Sequence, residues 1–197
     1  MTYVTMGAMS FIIAAIFDVA SLKRIPYLKQ IVGALTGLVF GCSLVMVALH
    51  PAKLELAPWL THAGWPVVIV ALFLLVYSLF LEIPFRRTYA ADGAGDSLVT
   101  DGTYALVRHP GVLWLGMFLS GLLLVSRSIL LVVATPIWLI MDVLLVWTQA
   151  RFFMPRAFAD YEEYRRVTPA LIPTVGSIER CWRSFWEPRD SGAGSEE

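Results

Sequence analysis

Arg108, His109 and Pro110 stand together where a polar stretch meets an apolar run, and that junction is where this chain could do chemistry. Pro110 suits the first turn of a helix, because its missing N–H would be unpaired there anyway. A helix that starts there leaves Arg108 and His109 at its positive end, beside free backbone N–H groups that already favour an anion. A carboxylate or a phosphate is the ligand such a place takes. The plainer reading has Arg108 reaching lipid phosphates and His109 capping the helix. Just upstream, Gly102 supplies a turn and Tyr104 an interfacial aromatic.

Other ionisable groups fall inside apolar runs, where they are costly and point to function by default. Asp142 is the clearest case, with pairing to a hydroxyl or an Arg of another helix as its structural alternative. Asp18 and Glu82 lie near the ends of their runs and read as structural, Glu82 standing one turn from Arg86. Cys42 and Cys181 form neither metal-ligand spacing nor a disulfide framework, so no metal is expected.

The elements that must position these groups are membrane helices. The 197 residues are 58% hydrophobic and only 15% charged, with a mean hydropathy of +0.70, too apolar for an ordinary soluble domain. A net charge of zero leaves no footprint for nucleic acid. Apolar segments near the roughly 20 residues needed to cross a bilayer run over Val4–Leu22, Ile31–Leu49, Trp65–Ile83, Gly111–Val125 and Ile129–Gln149. The predicted fold is all-α, an integral membrane bundle of about five transmembrane helices plus a cytoplasmic C-terminal amphipathic helix. The fourth segment is short, and with Arg127 close behind it the fourth and fifth form a tight hairpin. The first segment, followed by Lys23 and Arg24 and lacking a small-residue cleavage pattern, reads as an anchor.

Charge placement supports five crossings. Lys23, Arg24 and Lys29 follow the first span, Arg86, Arg87 and Arg108 the third, and Arg151, Arg156, Arg165, Arg166, Arg180, Arg183 and Arg189 the fifth; only Lys53 and Arg127 fall on the other side. Cytoplasmic loops carry the Lys/Arg excess, so the amino end is expected outside and the carboxyl end in the cytoplasm, with the cell inner membrane as the expected location. Gly33, Gly37 and Gly41 make a stripe in the second span that reads as a close-packing surface. Pro136 should kink the fifth span or free a carbonyl. After it, Pro155 can open a helix, and Phe158, Tyr161 and Tyr164 recur every three residues, with Arg156 and Asp160, and Glu162 and Arg166, one turn apart. This predicts one amphipathic helix on the membrane surface, ended by Thr168-Pro169, with Trp182, Phe185 and Trp186 in the headgroup layer. Residues 1–183 form the expected single domain and 184–197 a flexible polar tail.

Gly102-x-Tyr104-x-x-x-Arg108-His109-Pro110, an apolar hairpin, then Phe158-x-x-Tyr161-x-x-Tyr164 and a closing segment to Pro173 resemble the isoprenylcysteine carboxyl methyltransferase and phospholipid methyltransferase superfamily of integral membrane enzymes. The resemblance covers residues 98–173, and the order of the motifs makes it specific. It implies a methyltransferase that moves a methyl group from S-adenosylmethionine to a lipid-like or hydrophobic small-molecule acceptor arriving from the bilayer. It further implies that Arg108 and His109 are catalytic and hold the cofactor together with Tyr104, and that Tyr161 and Tyr164 shape the acceptor pocket. Three places depart from the family pattern: the pair of glutamates two turns before the Phe-Gly step is Ala150 and Arg151, the step itself is Phe158-Ala159, and the Tyr common after Arg-His-Pro is Val112. Gln149, as a cofactor ligand, and Asp142, toward the acceptor, are the candidates to replace the missing carboxylates. Two alternatives stand beside this reading: a non-catalytic membrane protein that kept the scaffold, and a membrane reductase relative using a nicotinamide cofactor.

Overall fold

A computed structural model describes residues 1–23, 25, 27–83 and 98–186. Among these residues there are helices and no strands, ordered as α1 (Thr2–Leu22), α2 (Leu28–Ala48), α3 (Pro58–Val76), α4 (Thr103–Leu106), α5 (Pro110–Ser126), α6 (Ile129–Thr148), α7 (Met154–Ala157), α8 (Tyr161–Val167) and α9 (Val175–Trp186). Helix α3 runs on as a π-helical segment, Tyr77–Glu82, and α6 as another, Gln149–Phe153.

Four helical stretches, Thr2–Leu22, Leu28–Ala48, Pro58–Glu82 and Ile129–Ala157, are long and apolar enough to cross a membrane, and Pro110–Ser126 is a shorter apolar helix. At 1.5 Å per residue, 17 residues reach about 26 Å, a little under the hydrocarbon thickness. This is the segment whose shortness the sequence marks. The protein is thus an integral membrane helical bundle, with many of its large apolar side chains exposed on its outside. The third span begins earlier than its apolarity suggests, because Pro58 occupies the first turn and opens the helix ahead of Trp65.

Packing is closest where side chains are smallest. Helices α3 and α5 meet through Gly64 and Gly121: a Cβ on Gly64 would stand 2.9 Å from Leu124 Cβ, and one on Gly121 3.0 Å from the Val68 backbone nitrogen. Gly7 of α1 lies flat against the indole of Trp138, where a Cβ would come within 2.5 Å of the ring. Trp138 is fully buried, donates its indole N–H to Val4 O at 2.9 Å, and meets Phe40 edge-on at 5.1 Å. The core gathers there, from Val4, Val47, Leu119, Leu131, Ala134 and Trp138. The glycine stripe of α2 behaves differently: Gly33 touches Phe17, but Gly37 and Gly41 have open space where a Cβ would stand. Within one chain, no helix among the described residues closes on Gly37 and Gly41; the intimate contacts go to Gly7, Gly64 and Gly121.

The core end is also tied by its loops. Arg127, in the left-handed region at φ 56°, closes the α5–α6 hairpin, and the chain between α2 and α3 pairs with it. Leu54 N–H donates to Arg127 O at 2.6 Å, Ile129 N–H to Ala52 O at 3.2 Å, and the Ser128 hydroxyl to Val47 O at 2.6 Å. Pro136 lies within an uninterrupted α6.

The tail departs from the single surface helix expected. Phe158 takes extended backbone and splits the stretch into α7 and α8, and both Tyr161 and Tyr164 are buried. The charge pairing differs too: Arg165 meets Glu162 at 3.5 Å and Arg156 bonds Phe152 O. The amphipathic helix is α9, which exposes Val175, Ile178, Trp182, Phe185 and Trp186 along one stripe. It carries helical chain to Trp186, past the boundary expected at residue 183. Residues 187–197, including Arg189, and residues 24, 26 and 84–97, including Arg24, Arg86 and Arg87, lie outside the described residues, as does the expected pairing of Glu82 with Arg86.

Candidate functional site

The end of the bundle opposite the Trp138 core holds a cavity of about 910 Å³. Its wall includes all seven residues singled out from the sequence: Tyr104, Arg108, His109, Asp142, Gln149, Tyr161 and Tyr164. They arrive from four elements, so the construction is best followed from the turn that precedes Arg108.

Gly102 has φ 59° and ψ −130°, a conformation open to glycine and strained for other residues. The turn places Thr103 over the end of the third span. There the Glu82 carboxylate accepts the Thr103 N–H at 2.8 Å and the Thr103 hydroxyl. Glu82 is buried, and this carboxylate joins α3 to α4. Gly102 N–H in turn donates to the Ser184 hydroxyl at 2.9 Å, which fastens α9 over the same turn. Beyond α4, the extended Val107 leads into Arg108 and His109, whose N–H groups donate to Pro169 O at 2.9 Å and Ala170 O at 3.3 Å. The Thr168-Pro169-Ala170 segment therefore fixes the backbone of the two residues from the far side.

Pro110 opens α5, as its type demands, and His109 is the N-cap residue without a side-chain cap bond. The Arg108 guanidinium donates from Nη1 to the Tyr161 hydroxyl at 2.9 Å and lies 5.9 Å from that ring's centroid. The Tyr164 hydroxyl donates to Tyr104 O at 2.7 Å, and the Tyr104 hydroxyl to Ser78 O at 3.3 Å. A chain of aromatic hydroxyls thus joins α8 to α4 and α4 to the π segment of α3. Two buried nitrogens at the cavity, Arg108 Nε and His109 Nε2, have no hydrogen-bond partner, a state that costs about 1–3 kcal/mol each without a ligand or water.

Burial, with the Arg108 charge adding to it, lowers the His109 pKa from 6.5 to about 4. At neutral pH His109 is an uncharged imidazole, able to donate from one nitrogen and accept at the other. Burial pushes the Tyr164 hydroxyl upward, against the pull of Arg108, so it stays protonated and a donor. Burial and then Glu82 raise the Cys181 thiol, leaving it un-ionised.

On the opposite wall, Gln149 in the wide turn after α6 donates to Asp18 Oδ2 of α1 at 3.0 Å. Asp142 faces the cavity about two helical turns deeper on the same helix face and makes no hydrogen bond among the described residues. Lys29, at the start of α2, is almost wholly buried, with its ammonium 5.9 Å from the Phe17 ring centroid. Asp18 and Lys29 also line the cavity, whereas Glu82 has the structural part its sequence position suggests. Each sits near the end of an apolar run, where a charge can reach water. The available signal for Asp18 and Lys29 was that both belong to the same end of the bundle as Arg108.

Helix α6 divides this cavity from a second, smaller one of about 210 Å³, lined by Arg108, His109, Ala150, Arg151 and Arg165 among others. The positions where the resemblance expects two glutamates thus fall in this lesser pocket, where three guanidiniums and no carboxylate line the wall. Among the described residues no group of three or more His, Cys, Asp or Glu could hold a metal ion.

A family model described as "Protein of unknown function (DUF1295)" matches residues 11–168, from the first helix to α8. No curated protein and no solved structure matches the chain.

Proposed function

The chain belongs to the DUF1295 family, and from that premise we propose that it is a membrane methyltransferase whose S-adenosylmethionine and acceptor share the 910 Å³ cavity. The observation that carries the reading is the convergence on one cavity, from opposite walls, of a buried, incompletely bonded Arg108–His109 pair and the carboxylates of Asp18 and Asp142. A zwitterionic amino acid bearing an extra sulfonium charge needs both signs, and both are present. Arg108 Nε is free to take a carboxylate, while Asp18, held by Gln149, and Asp142 oppose positive charge. The smaller pocket does not fit that ligand, since its wall is cationic only.

S-adenosylmethionine, when bound, supplies a methyl group on a sulfonium sulfur for in-line displacement by the acceptor. The chain's own task is to bind, orient and exclude water. Arg108 is positioned by Tyr161 and the Pro169 carbonyl; neutral His109 is placed to hold a polar atom of either ligand; Tyr104 and Tyr164 close the wall. The rest of the lining is largely apolar, from Phe11, Phe17, Phe40, Leu79 and Phe80 among others, and suits a lipid-like or hydrophobic acceptor. In this reading the site end, with the larger share of Lys and Arg, faces the cytoplasm.

Thermal-shift titration in detergent with S-adenosylmethionine, its demethylated product and NADPH tests the reading. S-adenosylmethionine should raise the melting temperature saturably, and Arg108→Ala, Asp18→Asn and Asp142→Asn should each weaken it about tenfold or more. A shift with NADPH alone would install the reductase reading. No shift with any of the three would leave a scaffold without a donor site.

A further inference from the structure

The smaller cavity lies outside the proposed donor site, and its chemistry is of one sign. Asp142, Leu145, Gln149 and Phe153 of the α6 stretch look into the large cavity, Val143, Trp147, Ala150 and Arg151 into the small one, and Val146 lines both. Helical spacing separates the two faces by about a third of a turn. Arg151 and Arg165 flank the small pocket from the α6 stretch and from α8, both exposed at its rim, and Arg108 and His109 form its floor. No carboxylate lines it; Glu162 meets Arg165 at 3.5 Å from outside, an exposed pair that contributes little. His109 is 8% exposed, and its Nε2 is a buried nitrogen without a partner.

Depth along α6 says what kind of molecule meets these charges. Arg151 stands one turn beyond Trp147 and two beyond Val143, about 6 and 12 Å along the axis, just past the end of the apolar run at Thr148. Trp147 is 60% exposed and Val143 38%, both on the bundle's outer surface. Such a groove is cationic at headgroup level and apolar directly below it. Basic pockets of this build hold anionic lipid headgroups.

We infer that the pocket between α6 and α8 is a binding site for an anionic phospholipid of the surrounding leaflet, its phosphate between Arg151 and Arg165 and an acyl chain along Val143 and Trp147. The site is distinct from the proposed methyl-donor cavity, although Arg108, His109 and Val146 line both. A lipid seated there presses on the floor made by Arg108 and His109, the two residues that also wall the large cavity.

Native mass spectrometry of the purified protein in detergent, with phosphatidylglycerol, phosphatidylcholine, inorganic phosphate and NADPH offered separately, tests this. Phosphatidylglycerol should bind at least about tenfold more tightly than phosphatidylcholine. The Arg151→Gln/Arg165→Gln double variant should abolish that preference. Both side chains are exposed, so the fold should persist, and the variant's S-adenosylmethionine titration reports separately on the large cavity. Arg183→Gln, which removes an exposed cation from α9 at the same end, should keep the preference. Equal binding of the two lipids, a preference that survives the double variant, or an equal loss in Arg183→Gln would overturn the assignment. Binding of inorganic phosphate or NADPH with the same arginine dependence would overturn the lipid as occupant.

Discussion

Replacing Gly102 by Ala should be among the most damaging single-methyl changes in the protein. At φ 59° and ψ −130° the new residue occupies backbone space that costs about 1–3 kcal/mol. The added Cβ also points into the Glu82 carboxylate, colliding with Oε1 and standing 2.9 Å from Cδ. The carboxylate cannot yield without releasing Thr103, whose N–H and hydroxyl it accepts; one such charge-assisted bond is worth about 1.5–3 kcal/mol. Together these give a loss of about 3–5 kcal/mol, read as a fall of roughly 10 °C in thermal unfolding in detergent. Because the same turn leads into Arg108, ligand affinity should fall along with stability. The two contributions separate in a double-mutant cycle with Glu82→Ala. Without the carboxylate, Gly102→Ala should cost only its backbone strain, leaving a coupling above about 1 kcal/mol. A Gly102→Ala protein within about 1 kcal/mol of the parent, or an undiminished penalty in the Glu82→Ala background, would refute the reasoning.

Other outcomes follow from the same geometry. Gly7→Ala, with its Cβ 2.5 Å from the Trp138 ring, should destabilise by at least about 3 kcal/mol, whereas Gly37→Ala, entering open space, should be neutral or stabilise by up to about 1 kcal/mol through helix propensity; paired thermal melts check both. Tyr161→Phe removes the acceptor of Arg108 Nη1 and should reduce S-adenosylmethionine affinity about tenfold while leaving the bundle folded, as circular dichroism would verify. For pH, the folded chain holds His109 at about 4 against 6.5 when unfolded, so between those values the unfolded state binds the extra proton. His109's contribution is complete above about pH 6.5 and is lost as pH falls toward 4, by up to about 3 kcal/mol. A His109→Gln variant should show a flatter stability profile across that window.

Much of the framework was legible because the bilayer makes its demands locally. An apolar run of sufficient length, a proline at a first turn and a cation after a short span each act through neighbours in sequence, and Pro110, the α5–α6 hairpin and the crossing segments lie where those signals put them. That the candidates share one cavity was legible for a related reason: Tyr104, Arg108, His109, Gln149, Tyr161 and Tyr164 are polar groups beside apolar helix ends. What the sequence could not express was partnership. Three glycines at helical spacing look alike whether a helix covers them or not, and only the arrangement of α1 and α3 around their neighbours puts Gly7, Gly64 and Gly121 into contact while leaving Gly37 and Gly41 open. Phe158, Tyr161 and Tyr164 share a period of three with a surface helix, yet burial under Arg108 and Tyr104 turns the two tyrosines inward. Asp18 looked like a charge near water until Gln149, from the far end of the chain, came to face it.

The loop between α2 and α3, laced to the α5–α6 turn through Leu54, Ala52 and Ser128, gives the bundle a fulcrum. Helices stitched together at one extremity can spread only at the other, as the limbs of tweezers do. A swing of about 5° over the roughly 30 Å length of a 20-residue helix would displace the far tip by about 2.6 Å once cross-links there, such as Gln149 to Asp18, let go. The tether lies at the far end of the bundle from the large cavity, so cutting it at Ser128 should loosen the jaws without touching a single residue that lines them.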